Sequence, residues 1–177
     1  MQVFQRHTAV AEAEVPARGA PELRLLRAID RERRVRALPW YGARVLGALA
    51  LLSVGAVHLQ QYLYLYSAIP TIGTLFVLNF VGATAIGLGL LAPTERLLGR
   101  FGAAAVSLLA LGGAGLAATA FVFLFVAERT PLFGFMEPGY DPPAILASRV
   151  AEAVTVVVLG GFLLARLVAS ARAGRRQ

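Results

Sequence analysis

Four long apolar runs, parted by short breaks rich in proline, glycine and charge, organise this chain from residue 45 onward. Residues 45–66 give 22 positions without Asp, Glu or Arg, and about 20 apolar residues suffice for a helix to cross the hydrocarbon of a bilayer. Residues 67–70 leave room for a turn only. Ile69 precedes Pro70 and is biased away from helix, so the chain reverses there and a second span, 71–92, follows at once. That span stops at Pro93. After the loop TERLLGR a third run covers 101–127, and a fourth covers 144–168. The pattern predicts an all-α polytopic membrane protein, a four-transmembrane-helix bundle occupying residues 40–168 with Trp40, Tyr41 and Arg44 as an interfacial anchor.

The flanks differ from the bundle. Residues 1–39 form a basic arm with eight Arg and no apolar run long enough for a signal peptide, so no cleavage for export is expected. Residues 1–20, rich in Ala and Glu with Pro16 and Gly19, are expected to be disordered. From 21 to 38 the pattern changes: Pro21 suits a first helical position, and Leu23, Leu26 and Ile29 recur at helical spacing among arginines. This predicts a short basic amphipathic helix on the inner membrane surface, with a solvated arm drawn to anionic lipid as the alternative. Residues 169–177 make a basic tail.

Composition agrees with the membrane class, at 58% hydrophobic residues and a mean hydropathy of +0.68. The net charge of +7 does not indicate nucleic-acid binding, because the charges flank apolar runs with no zinc, helix-turn-helix or RRM pattern between them. All 17 basic residues are Arg, and 15 of them fall in the two termini and the loop between spans two and three. The other face carries Arg129 and Arg149 beside Glu128, Glu137, Asp141 and Glu152. By the positive-inside rule both termini are cytoplasmic, in a bacterial cytoplasmic membrane, and the loop 128–143 is outside. With no Cys, disulfides and thiolate chemistry are excluded.

In the third run, Ala110, Ala114 and Ala118 stand four apart with Gly112, Gly113 and Gly115 among them, a face suited to close helix approach. The GGAG string is no phosphate loop, since no Lys-Ser or Lys-Thr follows it.

Polar residues within the spans mark where chemistry is possible, because lipid does not tolerate them. His58, Asn79, Thr119 and Glu152 each stand eight residues from the outer end of their run, placing all four about 12 Å below that boundary. His58, Gln61 and Tyr62 share one helix face; Ser148, Arg149, Glu152 and Thr155 make a stripe on the fourth helix. Two readings compete here. Either Arg149 and Glu152 neutralise each other and fix packing, or Glu152 and His58 form a proton relay or bind a ligand. His58 alone also fits a structural, hydrogen-bonded histidine.

No complete catalytic, metal or cofactor set is present. One His and one Glu fall short of a zinc site unless Glu137 or Asp141 folds in, bis-histidine haem is ruled out because His7 lies in the arm, and Ser53, Ser107 and Ser148 lack a matched base. Tyr62, Tyr64 and Tyr66 read as an aromatic belt. Phe133, Phe135 and Met136 in the long outer loop, with Glu137 and Asp141 nearby, suggest a lid over the polar level or a docking surface.

The string from His58-Leu59 through Tyr66-x-x-Ile69-Pro70-Thr71-Ile72-Gly73-x-Leu75-Phe76-x-Leu78-Asn79, with Leu132-Phe133-Gly134-Phe135-x-Glu137 later, resembles a group of uncharacterised small four-span integral membrane proteins from high-GC bacteria. The resemblance covers roughly residues 45–165. It implies the four-span topology and no particular activity. The chain therefore points first to a non-enzymatic accessory or scaffold subunit with a membrane-protein partner or a second copy of itself. A ligand- or proton-handling bundle for a quinone, lipid or small solute comes second, and a membrane-embedded enzyme third.

Overall fold

The structure is a computed structural model describing the backbone of residues 20–175 and side-chain surroundings from residue 39 to 175. The chain divides into two units, Met1–Ala37 and Leu38–Gln177. Of the first, the described part is helical from Ala20; of the disorder expected for residues 1–20 all but Ala20, and the facing of the amphipathic pattern, lie outside the described residues.

Helix α1 is assigned over Ala20–Tyr64, with Pro39 inside it. A proline removes one backbone donor, but it does not end a helix whose next turns are held by packing. The 3-10 turn Tyr66–Ala68 follows, and Ile69 is extended (φ −102°, ψ 103°), as its place before proline requires. Pro70 then opens α2, Pro70–Leu91, with its fixed φ suited to a first helical position. The segment expected to be a loop after Pro93 is instead helical: α3 is Thr94–Leu98, a 3-10 turn Gly99–Phe101 follows, and α4 is Gly102–Ala127. Gly99 at φ +50° supplies the left-handed step that parts α3 from α4. Asp141 caps α5, Pro142–Gly174, its carboxylate accepting from the Ala144 amide at 3.1 Å.

Four helical stretches are long and apolar enough to cross a membrane: Pro39–Tyr64, Pro70–Leu91, Thr94–Ala127 and Pro142–Gly174. Among the described residues no strand forms, and the fold is an all-α four-helix bundle of membrane type. Its core mixes alanines with leucine, valine and phenylalanine. Ala48, Leu51 and Val54 of α1 meet Leu90 of α2, Val106, Ala110 and Ala117 of α4, and Leu159 of α5, all fully buried. Gly113 lies at the crossing, where an added Cβ would come within 2.9 Å of Leu51, 3.0 Å of Leu159 and 3.3 Å of Ile86.

The packing stripe of α4 is Val106, Ala110, Gly113 and Ala117, which corrects the face expected from the sequence. Ala114 and Ala118 are only half-buried, and Gly112 and Gly115 are exposed. The difference is one of period. Strict four-residue spacing drifts round a helix of 3.6 residues per turn, whereas alternating steps of four and three stay on one face.

A polar cavity at the loop end of the bundle

Toward the end that carries the Tyr66 turn and the 128–141 loop, the four helices part around a cavity of about 230 Å³. Each helix contributes one of the four residues placed at a common level by the sequence: His58 of α1, Asn79 of α2, Thr119 of α4 and Glu152 of α5 all line it. Glu152 is fully buried, and His58 and Asn79 are nearly so.

His58 is oriented by its own helix. Its Nδ1 lies 2.9 Å from the Val54 carbonyl oxygen, which only accepts, so Nδ1 carries a hydrogen and Nε2 faces inward. Nε2 sits 3.9 Å from Glu152 Oε1, too far for a direct hydrogen bond and near enough for one bridging oxygen. The Ser148 hydroxyl, one turn earlier on α5, donates to that same Oε1 at 2.8 Å. Glu152 Oε2 and Asn79 Oδ1 are buried with no hydrogen-bond partner. Orphaned acceptors of this kind are costly in an apolar interior and are uncommon in folded proteins.

The loop forms the roof. The Tyr66 hydroxyl donates to Glu137 Oε2, and the other carboxylate oxygen accepts from the amides of Gly139 at 2.8 Å and Tyr140 at 3.1 Å. The Glu137 amide donates in turn to the Ala127 carbonyl at 2.8 Å, which ties the loop to the end of α4. Tyr66 stacks on Phe76 with ring centroids 4.7 Å apart and meets Phe135 edge-on at 5.7 Å. Burial, then the hydrogen bond from Tyr66 to Glu137 and the charges of Glu137 and Asp141, hold the Tyr66 hydroxyl well above the ordinary phenol range. Gln61 Nε2 donates to Asp141 Oδ2 at 2.8 Å, joining α1 to the start of α5.

Several expected features lie elsewhere. Arg149 does not pair with Glu152; its guanidinium bonds to Glu128 at the end of α4. Helical side chains lean toward the amino terminus of their helix, which carries Arg149 up to Glu128 and away from Glu152 one turn below. Tyr62 is half-buried outside the cavity lining, and Phe133 is exposed at φ +49°, edge-on to Phe123. Of the three tyrosines read as a belt, Tyr64 is exposed and Tyr62 half-buried, whereas Tyr66 is folded into the roof. Sequence reasoning passed over Tyr66 as a site residue; the signal was its place next to a forced chain reversal, which turns its ring back onto the bundle. Among the described residues no three His, Asp or Glu side chains gather at metal-ligand spacing.

A second polar centre occupies the opposite end. Arg44, expected to anchor at the interface, is 6% exposed and grips the end of α2: its guanidinium donates to the carbonyls of Leu90 and Ala92 and to both carboxylate oxygens of Glu95 at 2.7 Å. Thr94 Oγ1 takes the Gly89 carbonyl at 2.8 Å. The carbonyls left over where α2 ends are thus met by side chains. Trp40 packs edge-on against Phe162 at 6.2 Å, part of the same inward-facing group.

Comparison of the chain with family models, with curated proteins and with solved structures gives no match.

Proposed function

We propose that this chain is a membrane-embedded binding protein whose cavity holds a small, mostly apolar molecule by a hydrogen-bonding head. One observation carries the reading: two buried acceptors, Glu152 Oε2 and Asn79 Oδ1, stand without partners on residues that line the same cavity. The cavity, at about 230 Å³, is larger than the roughly 150 Å³ engineered void that holds benzene in another protein. Most of its lining is Leu, Ile, Phe and Ala, with the polar groups drawn from facing helices. Native mass spectrometry of protein released from mild detergent tests this. The wild type retains a bound molecule, and Glu152→Gln loses it while keeping its melting temperature. Identical spectra for the two proteins would overturn the reading.

The exposed Phe133, Met136 and Tyr140 of the loop favour a second reading, an accessory subunit whose partner covers that surface. A companion protein that stays bound through purification, and is lost in Phe133→Ser, would favour it. We further propose that the protein sits in the bacterial cytoplasmic membrane with both termini cytoplasmic and its basic arm against anionic lipid, on the strength of the Arg distribution. Ala68→Cys and Gly139→Cys should then react with an impermeant thiol reagent in intact cells, and Gly99→Cys should not.

A further inference from the structure

The cavity is not equally closed on all sides. At the loop end the Tyr66–Glu137 bond and the Tyr66, Phe76 and Phe135 rings cover it. Between α2 and α4 the wall is different. Lower in the bundle these two helices meet through glycines: Gly82 faces Leu116, Gly89 faces Leu109, and Gly112 faces Ile86. Toward the loop end of this seam the cavity begins, with Leu78 and Thr119 on its lining. Both residues are also exposed, Leu78 to 60%. A side chain that lines a cavity and is exposed at the same time stands at its mouth. This mouth lies on the flank of the helices, where a membrane protein meets acyl chains.

From this geometry, and resting on the binding function proposed above, we infer that the ligand is a bilayer-dissolved molecule with a hydroxyl head on an apolar chain, reaching Glu152 sideways through a window between α2 and α4. The hydroxyl follows from the polar groups. With its hydrogen on Nδ1, His58 presents Nε2 as an acceptor, and the unpartnered Glu152 and Asn79 oxygens are acceptors too, so the cavity calls for a head that donates. A neutral head also enters an apolar cavity at far lower desolvation cost than a cation. The chain follows from size. At about 230 Å³ the cavity is below the roughly 300 Å³ at which sites for drug-sized ligands begin, so it takes a ring or a few carbons and leaves the rest of a longer molecule in the window.

The test uses the full chain in liposomes with a photoreactive hexadecanol, its diazirine near the hydroxyl, and a matched hydrocarbon probe that lacks the hydroxyl. Labelled residues are read by peptide mass spectrometry. The alcohol should label Phe123 or Leu116 saturably, unlabelled hexadecanol should compete, and the hydrocarbon should label only the outer surface. Glu152→Gln should weaken competition by about tenfold, the scale of one lost hydrogen bond to a charged group. Leu78→Trp and Thr119→Trp should bring cavity labelling to background, and Leu78→Ala, which widens the mouth, should speed it. Melting temperatures show that each variant is folded, and Leu78→Ala carries the test if the tryptophan variants are not. Absence of saturable, Glu152-dependent labelling in the wild type would overturn the binding function itself. Saturable labelling that Leu78 and Thr119 substitutions leave unchanged would overturn the lateral route alone.

Discussion

The two ends of the bundle bury polar groups in opposite ways. At one end Arg44 sits almost without exposure, and its guanidinium meets two helix-terminal carbonyls and a bidentate carboxylate. At the other, Glu152 is fully buried, yet one of its oxygens meets nothing, His58 stands 3.9 Å away, and the Asn79 amide oxygen is also unpartnered. Desolvation penalises both centres. Arg44 recovers the penalty through its own contacts, as a structural clasp does. The His58–Glu152 cavity does not, and a polar site left incomplete by the fold is one that a further molecule can complete. Burial of a charge in a membrane bundle therefore does not identify function by itself; what distinguishes the two ends is whether the partners are already supplied.

The clasp is the place to break the comparison with most force. Arg44→Ala strips donors from the Leu90 and Ala92 carbonyls and should lower stability by about 3–5 kcal/mol, read from denaturant titration in detergent. Arg44→Lys should recover little of it, since one ammonium lacks the planar fork that reaches carbonyls and carboxylate together. Stability of Arg44→Ala equal to wild type would remove the distinction between the two ends.

Tyr66→Phe should have the next largest effect, about 1–3 kcal/mol, because Glu137 Oε2 loses its donor in a buried place. The same contact has a pH signature. Burial and Glu137 raise the Tyr66 hydroxyl above its unfolded value, so the folded protein holds that proton more tightly. Its contribution is fully present below pH about 10 and fades as pH rises beyond the ordinary phenol value. Wild type should accordingly lose stability more steeply between neutral and alkaline conditions than Tyr66→Phe. Parallel pH curves for the two would show that the roof bond contributes nothing.

Smaller again is Arg149→Gln, which breaks a part-exposed pair with Glu128 and should cost less than about 1 kcal/mol. The smallest change in stability is expected for Glu152→Gln. It replaces an incompletely satisfied carboxylate by a neutral amide that can keep the Ser148 contact, so the melting temperature should hold or rise. A large loss of stability in Glu152→Gln would place Glu152 with Arg44 as a structural residue.

The hydropathy pattern carried the topology because a span is a matter of length and apolarity, both one-dimensional properties; the breaks near Pro70, Pro93 and Pro142 sit where those prolines permit. The polar residues of the cavity were legible for a related reason, since each run carries one within three turns of its outer end, although the helices end six, nine, eight and ten residues from them and not eight in each. Partner choice was not. Arg149 and Glu152 look paired by spacing, but which acid Arg149 meets depends on side-chain lean and on where α4 ends, neither of which appears in a list of positions. Arg44 was hidden more completely. Its position beside Trp40 and Tyr41 reads as an interfacial anchor, and only the place where α2 terminates reveals three acceptors within its reach.

The bond between Gln61 and Asp141 joins residues 80 positions apart in the chain. During synthesis at about 5–20 residues per second, the first span emerges roughly 4–16 s before its partner exists. Over that interval His58 and Gln61 have no α5 to face, and the polar face of the first span waits for its partner. Assembly thus has a built-in waiting time, and the last helix to be made is the one that releases the first.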